Sequence, residues 1–134
     1  MYRVLIVDNC ERWRRKLRST IEANGRWLLV AEAADGASAV EQARALRPDL
    51  TLLDVTLPSL NGIEAAQRIL AQNPALRILF LSEHRSSEIV DAAIATGARG
   101  YVVKVDAARE LLTAMEAVVG GRSFTSRSVR STDD

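Results

Sequence analysis

A doubly wound α/β domain built on a parallel sheet is the fold class this sequence predicts, and three observations lead there. Short apolar runs rich in Val, Ile and Leu alternate five times with longer segments of helical periodicity, with no break in composition. Those runs lack polar alternation, as strands covered on both faces do. Gly25, Gly36, Pro48, Pro74 and Gly97 all fall between periodic segments, where chain reversals are expected. Because crossovers between parallel strands are helical and right-handed in nearly all cases, helices on both faces of the sheet follow.

The expected strands are Val4 to Val7, Leu28 to Ala31, Leu50 to Leu53, Ile78 to Leu81 and Tyr101 to Val103. After the first, Trp13, Leu17 and Ile21 recur at helical spacing; after the second, Ala39, Ala43 and Leu46 do the same, and each set makes one apolar stripe. Asn73-Pro74 reads as a helix stop, and the last helix should end near Gly120-Gly121. From Arg122 to Asp134 the chain is dominated by Ser, Thr, Arg and Asp, with Phe124 and Val129 its only large apolar side chains. The expected organisation is therefore one domain over residues 1–121 and a flexible tail or truncated linker over 122–134.

With 134 residues, 48% of them hydrophobic, the chain can bury one sizeable core. Lys+Arg 18 against Asp+Glu 17 leaves a formal net charge of +1, so no global field draws the chain to nucleic acid or membrane. A single cysteine, Cys10, excludes an internal disulfide, and no leader precedes the first strand, which points to the reducing cytoplasm. No apolar run approaches the roughly 18 or more residues of a membrane span.

Four polar residues stand where strands meet loops: Asp8 after the first, Asp54 after the third, Ser82 after the fourth and Lys104 after the fifth. In open α/β sheets the carboxyl ends of the strands form the ligand crevice. The competing reading makes Asp8 and Asp54 ordinary helix N-caps. Two carboxylates, a hydroxyl and an ammonium converging on one edge favour a site. Neighbouring carboxylates repel, and a cation relieves the repulsion; oxygen ligands in small number suit magnesium, which keeps waters and often a phosphate as further ligands. A carboxylate can itself accept a phosphoryl group.

These residues carry a resemblance. RVLIVD ending in Asp8, LTLLDVTLPSLNG with Pro58 and Gly62 four and eight residues after Asp54, LFLS ending in Ser82 and GARGYVVK ending in Lys104 resemble the receiver domain of bacterial two-component response regulators. The wording is close to the LuxR/NarL-type subgroup, and the likeness runs from Tyr2 to Gly121. It implies a flavodoxin-like fold with strand order 2-1-3-4-5. It also implies Asp54 as phosphoacceptor from a sensor histidine kinase, with magnesium held by Asp8, Asp54, the Asn9 position and the backbone carbonyl of Thr56. Ser82 and Tyr101 would be the switch residues, Lys104 would contact the phosphoryl oxygens, and a homodimer could form through the fourth helix, fifth strand and fifth helix. On this reading the chain is a binding switch with self-directed phosphotransfer and dephosphorylation rather than a metabolic enzyme.

Two positions depart from the family pattern. Asn9 stands where a second acid is usual, and an amide oxygen brings no charge to the metal; Val105 stands where many receivers have proline. Asn9 supports an alternative, a pseudo-receiver that keeps the fold and binds partners without phosphorylation. Phosphatases of the haloacid-dehalogenase type carry an acid two residues after the nucleophile, whereas here that residue is Thr56. The first helix carries Arg12, Arg14, Arg15, Lys16 and Arg18, read as a solvated face or as cations that select an acidic kinase surface. Trp13 among them reads as core, His84 as a loop residue and Cys10 as inert.

Overall fold

The computed structural model describes residues 1–129. The elements follow in the order β1 (Tyr2–Val7), α1 (Glu11–Glu22), β2 (Trp27–Ala33), α2 (Gly36–Leu46), β3 (Leu50–Leu53), α3 (Gly62–Gln72), β4 (Ile78–Ser82), α4 (Ser87–Ile94), β5 (Gly100–Val103), a single 3-10 turn at Lys104–Asp106, α5 (Ala107–Val119) and β6 (Phe124–Thr125). The strands form one sheet in the order β2-β1-β3-β4-β5-β6, parallel throughout. The expected order of the first five strands therefore holds, and the sixth is an addition.

Each face of the sheet buries its own apolar layer. On one, Leu5, Val7, Leu53, Phe80 and Tyr101 meet Ala39 and Ala43 of α2, Ala66 and Ile69 of α3, and Val90 and Ala93 of α4. On the other, Val4, Ile6, Leu52, Leu79 and Val102 meet Leu17 and Ile21 of α1 and Leu111, Met115 and Val118 of α5. Successive strand residues point to opposite faces, which is why the strand runs read as unbroken apolar stretches. Local chemistry sets the helix starts: Asp35 accepts from the Ser38 amide at 2.8 Å, and Asn61 accepts from the Glu64 amide at 3.0 Å. Asn73 caps α3 before Pro74, as the sequence predicts. β2 runs longer than the expected Leu28 to Ala31, because the buried Trp27 and Ala33 extend it at both ends.

The carboxyl end departs from the expected tail. After α5 the chain turns at Gly121, whose φ of +82° suits glycine, and Phe124 and Thr125 pair with Gly100 and Tyr101. Ser126 is buried, its amide donating to the Tyr101 carbonyl at 2.8 Å. Its hydroxyl lies 2.6 Å from Asp106 Oδ2 and 2.5 Å from Glu110 Oε1, while the Ser128 hydroxyl donates to Asp106 Oδ1 at 2.8 Å. Val129 packs against the core layer that α2, α3 and α4 cover. Composition hid this because the hydroxyls' partners, in direct hydrogen-bond contact in space, lie 16 to 22 residues away in sequence. Residues 130–134 of the expected tail lie outside the described residues.

The hydrogen bond from Ser126, together with those from Ser128, holds the Asp106 carboxyl below the ordinary carboxylate range. A depressed pKa contributes stability above the unfolded value that is lost as pH falls through the folded one. Removing both hydroxyls by Ser126→Ala/Ser128→Ala is expected to loosen the segment by about 1.5 kcal/mol. Hydrogen exchange should then speed roughly tenfold at the Ser126 and Ser128 amides and hardly change in β1; equal exchange in the two proteins would contradict the anchoring role.

Candidate functional site

Parallel strands deliver their carboxyl ends to one edge. Asp8 follows β1, Asp54 follows β3, Ser82 ends β4 and Lys104 follows β5. All four line one open cleft of about 500 Å³, together with Asn9, Arg12, Trp13, Thr56 and His84. The cleft sits where β1 and β3 lie side by side and the winding of the sheet reverses, the position at which such folds take ligands.

Lys104 is the centre of the arrangement. Its Nζ lies 2.8 Å from Asp8 Oδ2 and 3.0 Å from Asp54 Oδ2, with the Lys104 side chain 6% exposed. The Asp8 and Asp54 carboxylates bracket the ammonium from the ends of two adjacent strands. Neither acid is a helix N-cap: Asp8 Oδ1 accepts from the Cys10 amide at 2.8 Å, Asp54 Oδ1 faces the Thr56 amide at 3.3 Å, and α3 is capped by Asn61. The N-cap reading of these two acids is thereby corrected, since both side chains turn into the cleft.

Burial pushes the Asp54 carboxyl above the ordinary carboxylate range, and the Lys104 charge only partly opposes it. Burial also works against the Lys104 ammonium, yet its hydrogen bond to Asp8 and its pairing with Asp54 outweigh that and raise its pKa. A lysine so held is a fixed positive charge throughout the physiological range. Burial likewise pushes the Tyr101 hydroxyl up.

Backbone packing fixes Asp54. Its amide donates to the Val7 carbonyl at 3.0 Å, and the Gly62 amide donates to the Val55 carbonyl at 2.7 Å. A Cβ on Gly62 would lie 1.8 Å from the Asp54 carbonyl oxygen, so the start of α3 seats directly on the backbone that carries the acid.

Two further residues join the site. His84 Nε2 is 2.9 Å from Thr56 Oγ1, its amide meets Ser82 Oγ at 3.3 Å, and its carbonyl accepts from the Tyr101 hydroxyl at 2.7 Å. His84 thus links the loop after Asp54 to Tyr101, which is fully buried and directed inward. Trp13, half-buried and packed against the α1–α5 layer, places its ring 4.9 Å from Lys104 Nζ. It is therefore both core, as expected, and cleft wall. The basic face of α1 is partly engaged: Arg18 holds Glu32 of β2 at 2.7 and 2.9 Å, Arg14 reaches the same carboxylate at 3.4 Å, and both approach Glu11. Cys10 is exposed at the start of α1.

The oxygen groups lining the cleft include the carboxylates of Asp8 and Asp54, the Ser82 hydroxyl, and the exposed Asn9, Thr56 and Glu83. Among the described residues no group of three or more His, Cys, Asp and Glu side chains converges as a metal site. A donor set of two acids, an amide and a backbone carbonyl still fits magnesium in kind, because that ion takes few carboxylates and keeps waters. It is a lower-charge set than three acids would make.

Sheet order, helix placement and a polar cleft at the reversal point define a doubly wound α/β domain of the flavodoxin-like receiver class. A family model for the response regulator receiver domain matches residues 4–116. The chain belongs to that family and is a receiver domain of a response regulator in two-component signalling. It is 37% identical over 120 residues to Protein CcdB of Bacillus subtilis (strain 168), covering 90% of this chain and 99% of that one. It is 42% identical to the DNA-binding transcriptional activator DevR/DosR of Mycobacterium tuberculosis, covering 92% of this chain but 57% of the relative. A LuxR-family two-component response regulator from Aurantimonas sp. SI85-9A1 superimposes with a TM-score of 0.92 at 36% identity, over 96% of this chain and 92% of that one. The chain thus spans nearly all of one curated relative and little more than half of another. Among the described residues no helix is long and apolar enough to cross a membrane.

Proposed function

We propose that Asp54 accepts a phosphoryl group from the phosphohistidine of a sensor histidine kinase and that the protein reports the event through the surface formed by α4, β5 and α5. The observation that carries this reading is the Lys104 ammonium bracketed by the Asp8 and Asp54 carboxylates at the sheet edge. An Asp54 oxygen forms the new bond to phosphorus as the bond from phosphorus to the donor imidazole nitrogen breaks, the electron pair leaving with the imidazole. Lys104, held beside Asp54, pairs with the oxygens of the arriving group in place of the carboxylate. Magnesium, held by Asp8, Asp54, the Asn9 amide oxygen and the Thr56 carbonyl, would offset the remaining phosphoryl charge when bound. Ser82, at the end of β4, donates to a phosphoryl oxygen.

Tyr101 carries the change onward. Its hydroxyl is tied to the His84 carbonyl and the His84 amide to Ser82, so a movement of Ser82 toward Asp54 reaches the start of α4. To switch populations substantially the phosphoryl group must favour one arrangement by a few kcal/mol. The partners are the kinase, in the cytoplasm, and a second copy of the chain, which, with β6 against β5, would meet β6 there. The chain acts as a self-modifying switch rather than a metabolic enzyme. DNA recognition would fall to a separate domain, since the near balance of charge gives this one no nucleic-acid field.

Intact mass after incubation with acetyl phosphate, with and without magnesium, tests the proposal. Gain of one phosphoryl group with magnesium, absent in Asp54→Asn, supports it. No gain in the natural sequence combined with gain in Asn9→Asp would instead identify a binding module that lost its phosphorylation chemistry at one side chain.

A further inference from the structure

The chain has two lysines, Lys16 and Lys104, and both place Nζ near the same aromatic ring: 5.0 Å from the Trp13 centroid for Lys16 and 4.9 Å for Lys104. An ammonium within about 6 Å of an indole centroid is attracted by the negative face of the ring, more strongly where water is excluded. Lys16 is exposed, whereas the Lys104 side chain is 6% exposed and already paired with two carboxylates. Among the described residues Trp13 is therefore the aromatic wall of a three-sided cage around the Lys104 ammonium, with Asp8 and Asp54 as the other two sides. It also lines a second groove that the same lysine borders, with Glu83, Arg85 and Val105.

We propose that Trp13 is a positioning residue for Lys104, holding its ammonium at the Asp54 side of the cleft and screening it from water. This rests on the reading of Asp54 as phosphoacceptor for its consequence, but not for its test. A lysine side chain is long and rich in rotamers, and Lys104 must exchange a carboxylate partner for a phosphoryl oxygen without swinging into solvent. One of its two carboxylate partners is the group being modified, which leaves Asp8 and the Trp13 ring as the contacts that can persist through that exchange. The ring keeps its contact while the oxygen partners change.

Two lysines make the test direct. In the full chain labelled with carbon-13 lysine, two sets of ε-methylene signals are expected, assigned by Lys16→Arg. Ring current should move the Lys104 set away from its free-lysine position. Trp13→Leu should return it there, and Trp13→Phe should keep most of the displacement. Phosphorylation by acetyl phosphate should slow roughly two- to thirtyfold in Trp13→Leu, the range that ring–ammonium attraction spans, and recover largely in Trp13→Phe. Amide signals of β1 and β3 report whether each variant is folded, and Trp13→Phe keeps the test open if Trp13→Leu is not. Lys104 signals unmoved in the leucine variant would overturn the contact. Moved signals with an unchanged phosphorylation rate would overturn the positioning role. If the natural sequence takes up no phosphoryl group at all, the Asp54 reading falls while the lysine signals still decide on Trp13.

Discussion

Lys104→Met is expected to lower the unfolding free energy by about 3 kcal/mol at neutral pH, the cost of stranding one side of a buried ion pair. The substitution keeps most of the length and the apolar character of the stem and removes the ammonium group that lies 2.8 Å from Asp8 and 3.0 Å from Asp54. Two buried carboxylates then face each other without a counter-ion, and Asp54, already raised by burial, is raised further. The sign with pH follows. A carboxyl whose folded pKa is raised binds its proton more tightly in the folded state, so the variant loses stability as pH rises from acid toward neutral. The raised Lys104 ammonium contributes its stability at every pH below the ordinary lysine range. The deficit should therefore be largest at neutral pH and shrink in acid. Adding Asp54→Asn should recover part of it, because one stranded charge is gone, and the two substitutions will not be additive. Urea unfolding of the four proteins at two pH values checks this; a deficit independent of pH would show that the lysine acts by packing alone.

Gly62→Ala is expected to cost about 3 kcal/mol or more, at the upper end of overpacking penalties. The new Cβ would lie 1.8 Å from the Asp54 carbonyl oxygen and 2.8 Å from the Val55 Cα, both backbone, so no rotamer change relieves the clash. Either α3 lifts from the sheet or the segment bearing Asp54 moves. The lost phosphoryl uptake should therefore accompany the lost stability. Gly25→Ala is the control: nothing lies within 4 Å of a Cβ there, and a change within about 0.5 kcal/mol is expected. Thermal unfolding of both variants distinguishes the two glycines; equal melting temperatures would contradict the close seating of α3 on Asp54.

The parts of this site that are legible in sequence are those one strand end can announce. Asp8, Asp54, Ser82 and Lys104 each interrupt an apolar run where parallel strands must stop, and the period of the runs fixes the layer architecture. What sequence does not display is contact between elements. Trp13 satisfies the apolar stripe of α1, so its second role at Lys104 leaves no trace in the spacing. His84 stands two residues past Ser82 in a polar loop, and only the fold brings Thr56 and Tyr101 to it. The segment around Ser126 reads as tail because its polar atoms are satisfied by Asp106 and Glu110, and a polar sequence with satisfied partners looks the same as one without them. Likewise, Glu32 on β2 answers Arg14 and Arg18 across elements, which turns part of an apparently free basic face into a structural pair.

The central claim is that the phosphoryl group resides on Asp54, and trapping it tests that most directly. An acyl phosphate is reduced by borohydride to an alcohol, which converts a phosphorylated aspartate to homoserine and leaves free carboxylates unchanged. Peptide mass mapping after acetyl phosphate, magnesium and borohydride is predicted to find homoserine at position 54 and unaltered aspartate at position 8. Homoserine at position 8, or at neither position while Asn9→Asp is likewise unmodified, would contradict the account.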